Sequence, residues 1–188
     1  IATLPDSPMR LWLITNVEQT GPLSKDPPLP ERRSSGKGTL ESTMEAFWTA
    51  KTLRELTAEQ WEALCDGCGR CCLQKLKNPT TGKVHYTWVA CFLLDTQTCR
   101  CSDYALRRIL VPDCLKLDPG NIPKLRWLPK TCAYRRLSEG KTLPNWHPLI
   151  TGTPASVHNA GISVRQRAIS EVHVHPDDLV NFQIKEKF

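Results

Sequence analysis

The chain has 188 residues, a net charge of +6 and a hydrophobic fraction of 40%, as expected for one globular domain. No apolar run approaches the ~20 residues that a membrane span needs, and the opening residues lack the basic and apolar regions of a signal peptide. These features exclude a membrane-spanning protein. They predict a cytoplasmic one, in which thiol groups stay reduced.

The positive charge is not spread evenly. Residues 1–43 carry five Lys/Arg and five Asp/Glu, so the whole excess lies in residues 44–188. There the cations lie close to cysteines in the sequence: Arg70, Lys75, Lys77, Arg100, Arg107, Arg108 and Lys116. Because metal-bound thiolates are anionic, these cations serve to offset ligand charge. No recognition helix or RNA-binding pattern accompanies them, so nucleic-acid binding is not expected.

Residues 1–43 differ from the rest in composition. They contain six prolines and no usable apolar period, and such a segment cannot bury enough surface to offset its ordering entropy. We expect a disordered tail or a spurious extension upstream of Met44, with residues 44–188 forming a single domain. Deleting residues 1–43 is then expected to shift the melting temperature by only a few degrees.

The pattern becomes helical after Met44. Residues 57–60 form a capping box, Thr-Ala-Glu-Gln, which begins a short helix. Trp61 and Leu64 lie on one face of that helix, and the chain then reaches Cys65.

The most informative stretch is Cys65-Asp-Gly-Cys68-Gly-Arg-Cys71-Cys72, in which four of the nine cysteines fall within eight residues. A C-x2-C pair holds two soft thiolate ligands at the spacing that encloses one metal ion. Gly67 and Gly69 permit the positive φ angles of a tight knuckle, and they let backbone N–H groups approach the sulfurs. The stretch predicts a metal-binding knuckle.

Other uses of these cysteines fit less well. A disulfide framework favours an oxidising compartment and an even count, whereas this chain has nine cysteines. A bridge between adjacent Cys71 and Cys72 would be strained. A c-type haem site needs a His directly after C-x-x-C, and a redox dithiol normally follows a strand rather than a helix.

Beyond the knuckle the elements are short. A turn at residues 78–82 precedes an alternating strand at 83–89, and residues 95–98 turn the chain into Cys99-Arg-Cys101. Helices are predicted at residues 104–110 and 131–139, and strands at 162–165 and 169–175. This pattern predicts an irregular α+β fold with a small antiparallel sheet. Such a fold needs additional stabilisation, which a bound metal would provide.

The sequence resembles the YcgN family of bacterial proteins, within the broader CxxCxxCC (YkgJ-type) family of zinc- or iron-chelating domains. The segments that carry the resemblance are residues 47–48, 51–53, 59–62, 64–69, 89–91, 98–101, 112–114, 127–129, 131–135, 146–149 and 162–165. The resemblance covers roughly residues 44–174, a range that includes every cysteine. The resemblance implies a chelating domain without implying a reaction. A related domain in flagellin lysine methylases implies, by analogy of fold, cluster-dependent modification chemistry as an alternative.

Nine cysteines exceed one four-coordinate site, so we expect two thiolate centres and one spare thiol. The predicted ligands are Cys65, Cys68, Cys71, Cys72, Cys91, Cys99, Cys101 and Cys114, with Cys132 as the spare. Adjacent Cys71 and Cys72 would serve different centres or a bridged one. Tetrahedral sulfur suits zinc, but basic flanks and glycine N–H groups favour an iron–sulfur cluster.

Two classes of function remain open. One is a metal-binding protein whose partner is another protein or an electron carrier. The other is a cluster-dependent oxidoreductase or protein-modification enzyme. His147 and His158 are the candidates for proton transfer or nitrogen ligation, although a purely structural role is the more common one for a histidine.

Overall fold

The structure is a computed structural model that describes residues 46–185. The predictions about residues 1–43 and about Met44 lie outside the described residues.

Six short helices and five strands occur in chain order within the described part. The helices are α1 (Phe47–Ala50), α2 (Ala58–Ala63), α3 (Arg107–Leu110), α4 (Ala133–Ser138), α5 (Pro148–Thr151) and α6 (Ser156–Asn159). The strands are β1 (Leu73–Lys77), β2 (Val84–Ala90), β3 (Leu94–Asp95), β4 (Arg100–Cys101) and β5 (Ile169–Ser170). Single 3-10 turns or short 3-10 helices lie at Arg70–Cys72, Ile122–Lys124, Glu171–His173 and Pro176–Phe182. The predicted α+β class is confirmed.

The main sheet has three strands in the order β1, β2, β5. β1 and β2 are antiparallel and form a hairpin through the turn that the sequence predicted, whereas β2 and β5 are parallel. The prediction of an antiparallel sheet therefore holds for β1 and β2 and is wrong for β5. β3 and β4 form a separate antiparallel pair. No strand occurs at 162–165, and only Ile169–Ser170 of the predicted 169–175 strand is extended within a sheet.

Helix α2 begins at the predicted capping box. The Thr57 hydroxyl accepts the backbone N–H of Gln60 at 3.2 Å, and the Gln60 side chain accepts the N–H of Thr57 at 3.1 Å. This reciprocal pair satisfies two amides that the helix would otherwise leave without partners. The helix ends at Ala63, Leu64 caps it, and the next residue is Cys65.

Two apolar clusters flank the knuckle. The first contains Leu64, Ile122, Leu128, Ala133, Tyr134 and Leu143, and the second contains Leu73, Ala90, Leu94, Cys99, Val164 and Ile184. Leu64 directly precedes Cys65 and Leu73 directly follows Cys72. The cysteine-rich stretch therefore connects the two clusters. A third, smaller cluster of Leu76, Val89 and Leu179 packs on the main sheet.

His147 is a structural residue rather than a ligand. Its side chain is fully buried, its Nδ1 accepts the N–H of Leu149 at 3.1 Å, and its Nε2 lies 3.2 Å from the Leu64 carbonyl. Since Nδ1 accepts, the proton sits on Nε2, which donates to that carbonyl. Both ring nitrogens are occupied, and the ring fixes the residue before Cys65.

This burial predicts a pH dependence of stability. Burial lowers the pKa of His147 below its usual 6.5. At a pH between the two values, the imidazole is therefore protonated in the unfolded chain and neutral in the folded chain. The free energy of unfolding should therefore decrease as pH falls below about 6.5, down to the folded pKa. His147→Gln keeps a donor but cannot be protonated. Denaturant unfolding between about pH 8 and about pH 5 should show a smaller decrease in the free energy of unfolding in this variant than in the wild type. The same decrease in both proteins would contradict the structural role of a neutral His147.

None of the helices within residues 46–185 combines the length and the apolar character that crossing a membrane requires.

Candidate metal centre

The backbone of residues 65–69 forms the predicted knuckle. Gly67 and Gly69 have φ of 74° and 72°, a region that only glycine adopts readily. Between them, the Cys68 N–H donates to Asp66 Oδ1 at 2.9 Å, and the Cys68 carbonyl accepts the N–H of Val164 at 2.9 Å. The knuckle is therefore fixed both by its own turn and by a segment nearly a hundred residues away.

Gly69 is constrained by contact as well as by φ. A Cβ atom at this position would lie 2.7 Å from Val164 Cγ2, and Val164 is fully buried. At Gly82, which also has a positive φ of 67°, an added Cβ meets nothing within 4 Å. The two glycines therefore share the backbone requirement and differ only in packing.

We expect Gly69→Ala to lower the free energy of unfolding by about 3 kcal/mol, the sum of a left-handed backbone cost and overpacking. Gly82→Ala is the matched control and should cost only the backbone part, about 1 kcal/mol. Denaturant titrations followed by circular dichroism measure both changes. Equal losses in the two variants would contradict the close approach at Gly69.

The charge of Cys71 acts on three other thiols around the knuckle. Burial and then a negative charge on Cys71 together raise the pKa of Cys65 and of Cys132 to about 12 in each case. The pKa of Cys68 is also raised, first by burial and then by Asp66 and Cys71. We call Cys65, Cys68, Cys71 and Cys132 the knuckle group. The same charges act on Tyr86, whose pKa is raised first by burial and then by Cys71, Cys132 and Cys68.

A buried carboxylate lies within this group. Asp66 is 6% exposed, and its Oδ2 has no hydrogen-bond partner among the described residues. A second buried polar atom without a partner is Thr131 Oγ1, which belongs to the residue before Cys132. Leaving such atoms unpaired costs free energy. Both adjoin cysteines of the knuckle group, as expected where a bound group would interact with them.

Cys71 belongs to the knuckle group, and the adjacent Cys72 belongs to a second group of thiols described below. Their sulfur atoms are 3.9 Å apart, and the shared hydrogen lowers the pKa of Cys71 while it raises that of Cys72. Lys75 neutralises this region: its Nζ donates to the carbonyls of Cys71 and Leu73 at 2.8 and 2.5 Å. The ammonium also lies 4.5 Å from the Trp127 ring centre. Burial lowers the pKa of Lys75 to about 8, against the opposing charges of Cys71, Cys72 and Cys91.

The second set lies along the strands. Leu73 pairs with Ala90, so Cys72 directly precedes one residue of this pair and Cys91 directly follows the other. The Cys91 N–H donates to the Cys72 carbonyl at 2.9 Å. Leu94 pairs with Cys101 and donates its N–H to the Cys91 carbonyl at 2.9 Å. Burial raises the pKa of Cys114, and the charges of Cys91 and Cys101 raise it further. We call Cys72, Cys91, Cys101 and Cys114 the strand group.

Cys99 lies apart from both groups. It is 4% exposed and packs in the second apolar cluster, with its Cβ 3.6 Å from the position of a Gly69 Cβ. Burial raises the pKa of its thiol, and the charged residues that act on it are Arg165, Asp95 and Arg100 rather than another cysteine. Cys132, in contrast, begins α4 beside the knuckle. The prediction that Cys99 is a ligand and Cys132 the spare thiol therefore stays a prediction, although of the two it is Cys132 that lies beside the knuckle.

The sulfur atoms are the kind of ligand that a soft metal binds, although the cysteine side chains would have to move to coordinate one. Within residues 46–185, no three His, Cys, Asp or Glu side chains are arranged so that they could hold an ion. Eight thiols nevertheless occupy two adjoining groups, one of which surrounds a carboxylate oxygen that lacks a partner. Thiolates are the ligands that zinc and iron–sulfur clusters require.

Comparison with known proteins agrees with this chemistry. Residues 64–133, which include all nine cysteines, match the CxxCxxCC family model, described as "Putative zinc- or iron-chelating domain". A UPF0260 protein of Gluconacetobacter diazotrophicus is 58% identical over 130 residues, which cover 69% of this chain and 81% of that protein. One from Azotobacter vinelandii is 55% identical over 139 residues, covering 74% and 93%.

The chain belongs to the UPF0260 family. A further UPF0260 protein, from Pseudomonas savastanoi pv. phaseolicola, is 51% identical over 145 residues, covering 77% of this chain and 97% of that protein. No solved structure matches this UPF0260 chain.

Two charged residues of the candidate site could not be recognised from the sequence of this UPF0260 protein. Nothing in the cysteine motif indicates that Asp66 would be buried with an unpaired oxygen. Lys75 was grouped with cations that offset ligand charge, but nothing local showed that it would be desolvated between Tyr86 and Trp127. Its position three residues after Cys72 was the one feature of the sequence that pointed to Lys75.

Proposed function

We propose that this YcgN-like UPF0260 protein is a metal-binding protein that holds iron–sulfur clusters or zinc in two adjoining thiolate centres. The observation that carries the proposal is the knuckle group around Asp66, whose buried Oδ2 lacks a partner. A cation in the knuckle would pair with that oxygen. No other buried carboxylate oxygen among the described residues lacks a hydrogen bond.

The knuckle group, completed by Cys132, would form one centre, and the strand group would form the other. Cys132 then takes the ligand position that was predicted for Cys99. The assignment follows the surroundings: Cys132 lies within range of Cys71 and Asp66, whereas the Cys99 side chain packs among apolar residues. The 3.9 Å contact between Cys71 and Cys72 sulfurs is also compatible with one bridged assembly in place of two centres.

We favour iron–sulfur over zinc because, apart from Asp66, the groups beside these thiols stabilise negative charge. The N–H groups of Gly67 and Arg70 lower the pKa of Cys65 and Cys68, in part offsetting the effect of burial. Lys75 and Arg100 add positive charge beside Cys71 and Cys65. Such groups suit an anionic cluster. A bound cluster would supply electron-transfer or Lewis-acid chemistry, and the described residues would hold it and shield it.

The test is anaerobic purification of the full chain, followed by analysis of iron, zinc and acid-labile sulfide and by an absorption spectrum. Iron and sulfide in equal amounts with broad visible absorption would support the iron–sulfur assignment. A colourless protein with stoichiometric zinc would support metal binding and reject the cluster. Absence of both would reject the proposal. A protein or electron-carrier partner, cytoplasmic location and enzymatic activity remain predictions.

A further inference from the structure

A second candidate site is a cavity whose lining residues include no cysteine. Its volume is about 380 Å³ and it is formed by the end of α6 and by residues 161–167. The polar groups used below are His158, Ser163, Arg165 and Arg167. No Asp or Glu lines the cavity. Its volume falls at the lower end of the range for small-molecule sites, about 300–1,000 Å³.

Two arginines give the cavity its charge. Arg165 is exposed, and within residues 46–185 its guanidinium makes no hydrogen bond or ion pair. The guanidinium of Arg167 lies 4.3 Å from the centre of the Trp88 ring. A guanidinium in a cation–π contact keeps N–H groups that can donate to a ligand. Both guanidinium groups can therefore bind an anion without breaking an existing ion pair.

His158 and Ser163 add a neutral donor. His158 Nδ1 lies 2.8 Å from Ser163 Oγ, and this hydrogen bond uses one of the two hydrogens that a neutral imidazole and a hydroxyl carry. The other, on Nε2 or on Oγ, remains to donate to a ligand. Burial lowers the pKa of His158, and the nearby positive charges of Arg165 and Arg100 lower it further. The imidazole is thus neutral near pH 7, in a positive local potential.

The loop also contains an unusual backbone conformation. Gln166, between the two arginines, has φ of 57°, which is uncommon for a residue other than glycine. Its N–H donates to the Thr96 carbonyl at 3.0 Å. The surrounding structure therefore holds the loop in a strained form that places Arg165 and Arg167 on either side of Gln166, and such strain is concentrated at functional sites.

We propose that this cavity binds a phosphate group, either as the free anion or as part of a small phosphate ester. Two guanidinium groups with a neutral donor match the oxygens of a phosphate, which accepts bidentate hydrogen bonds from arginine. The cavity has room for a substituent on the phosphate. Its lining residues include no cysteine, so the proposal does not depend on which metal the thiol groups hold.

The test is calorimetric titration of the full chain, as purified, with inorganic phosphate and with phenyl phosphate, in a buffer that contains neither phosphate nor sulfate. We expect a dissociation constant of about 1 mM or tighter for at least one of them. Tighter binding of phenyl phosphate would identify an ester site, and equal or tighter binding of inorganic phosphate would identify a free-anion site. Either result supports the proposal.

Arg165→Gln should weaken binding at least tenfold. Arg54→Gln is the matched control, because Arg54 is exposed and lies outside the cavity, and it should leave binding unchanged. No binding of either probe at about ten times the expected constant would overturn the proposal. So would equal affinities of the wild type and Arg165→Gln, or an equal loss in both variants.

Discussion

Replacing Cys68 with serine is expected to abolish stoichiometric metal binding and to leave the chain without a cooperative unfolding transition. Cys68 is buried, and its backbone connects the Asp66 carboxylate with Val164. A metal in the knuckle would join the two apolar clusters on either side of it, so metal binding and folding are expected to be one process. Metal analysis and thermal unfolding followed by circular dichroism measure the two effects.

The control for this variant is the wild-type chain after treatment with a chelator. It should unfold in the same non-cooperative way, because both samples lack the metal. If Cys68→Ser keeps its full metal content and a sharp transition, the knuckle does not hold the metal that organises the fold.

Cys132→Ser is expected to weaken metal binding, whereas Cys99→Ala is expected to leave it unchanged. Cys132 shares the electrostatic surroundings of the knuckle group, and loss of a ligand should weaken binding at that centre by more than the 10–100-fold typical of a supporting residue. Cys99→Ala removes a buried sulfur from the second apolar cluster. It should lower stability by about 1–2 kcal/mol while the metal content stays at the wild-type value.

Competition with a metal chelator of known affinity measures the first effect, and denaturant unfolding of the metal-loaded protein measures the second. The pair is informative because both positions are cysteines of low exposure. Metal loss in Cys99→Ala with retention in Cys132→Ser would restore the assignment made from the sequence.

The parts of the fold that depend on neighbouring residues could be predicted. The Thr57 capping box, the strand that became β2 and the positive φ of Gly67 and Gly69 each depend on a few adjacent positions. Helix α4 also lies within the predicted range of 131–139, although it begins at Ala133 rather than Thr131. In these cases the local preference agreed with the packing.

The rest depends on contacts between distant segments. Residues 162–165 alternate like a strand, but the Val164 N–H donates to the Cys68 carbonyl rather than to a sheet partner. The distinct surroundings of Cys99 and Cys132 arise in the same way. Spacing placed Cys99 beside Cys101, whereas the positive φ of 55° at Cys99 directs the chain so that this thiol packs against Gly69 and Val164.

X-ray absorption spectroscopy at the edge of the bound metal tests the central claim most directly, because it reports the ligand atoms themselves. The account predicts a first shell made of sulfur, with distances of about 2.3 Å to the metal. This shell should become depleted in sulfur in Cys132→Ser and stay unchanged in Cys99→Ala. A wild-type shell dominated by nitrogen or oxygen would contradict the thiolate centres.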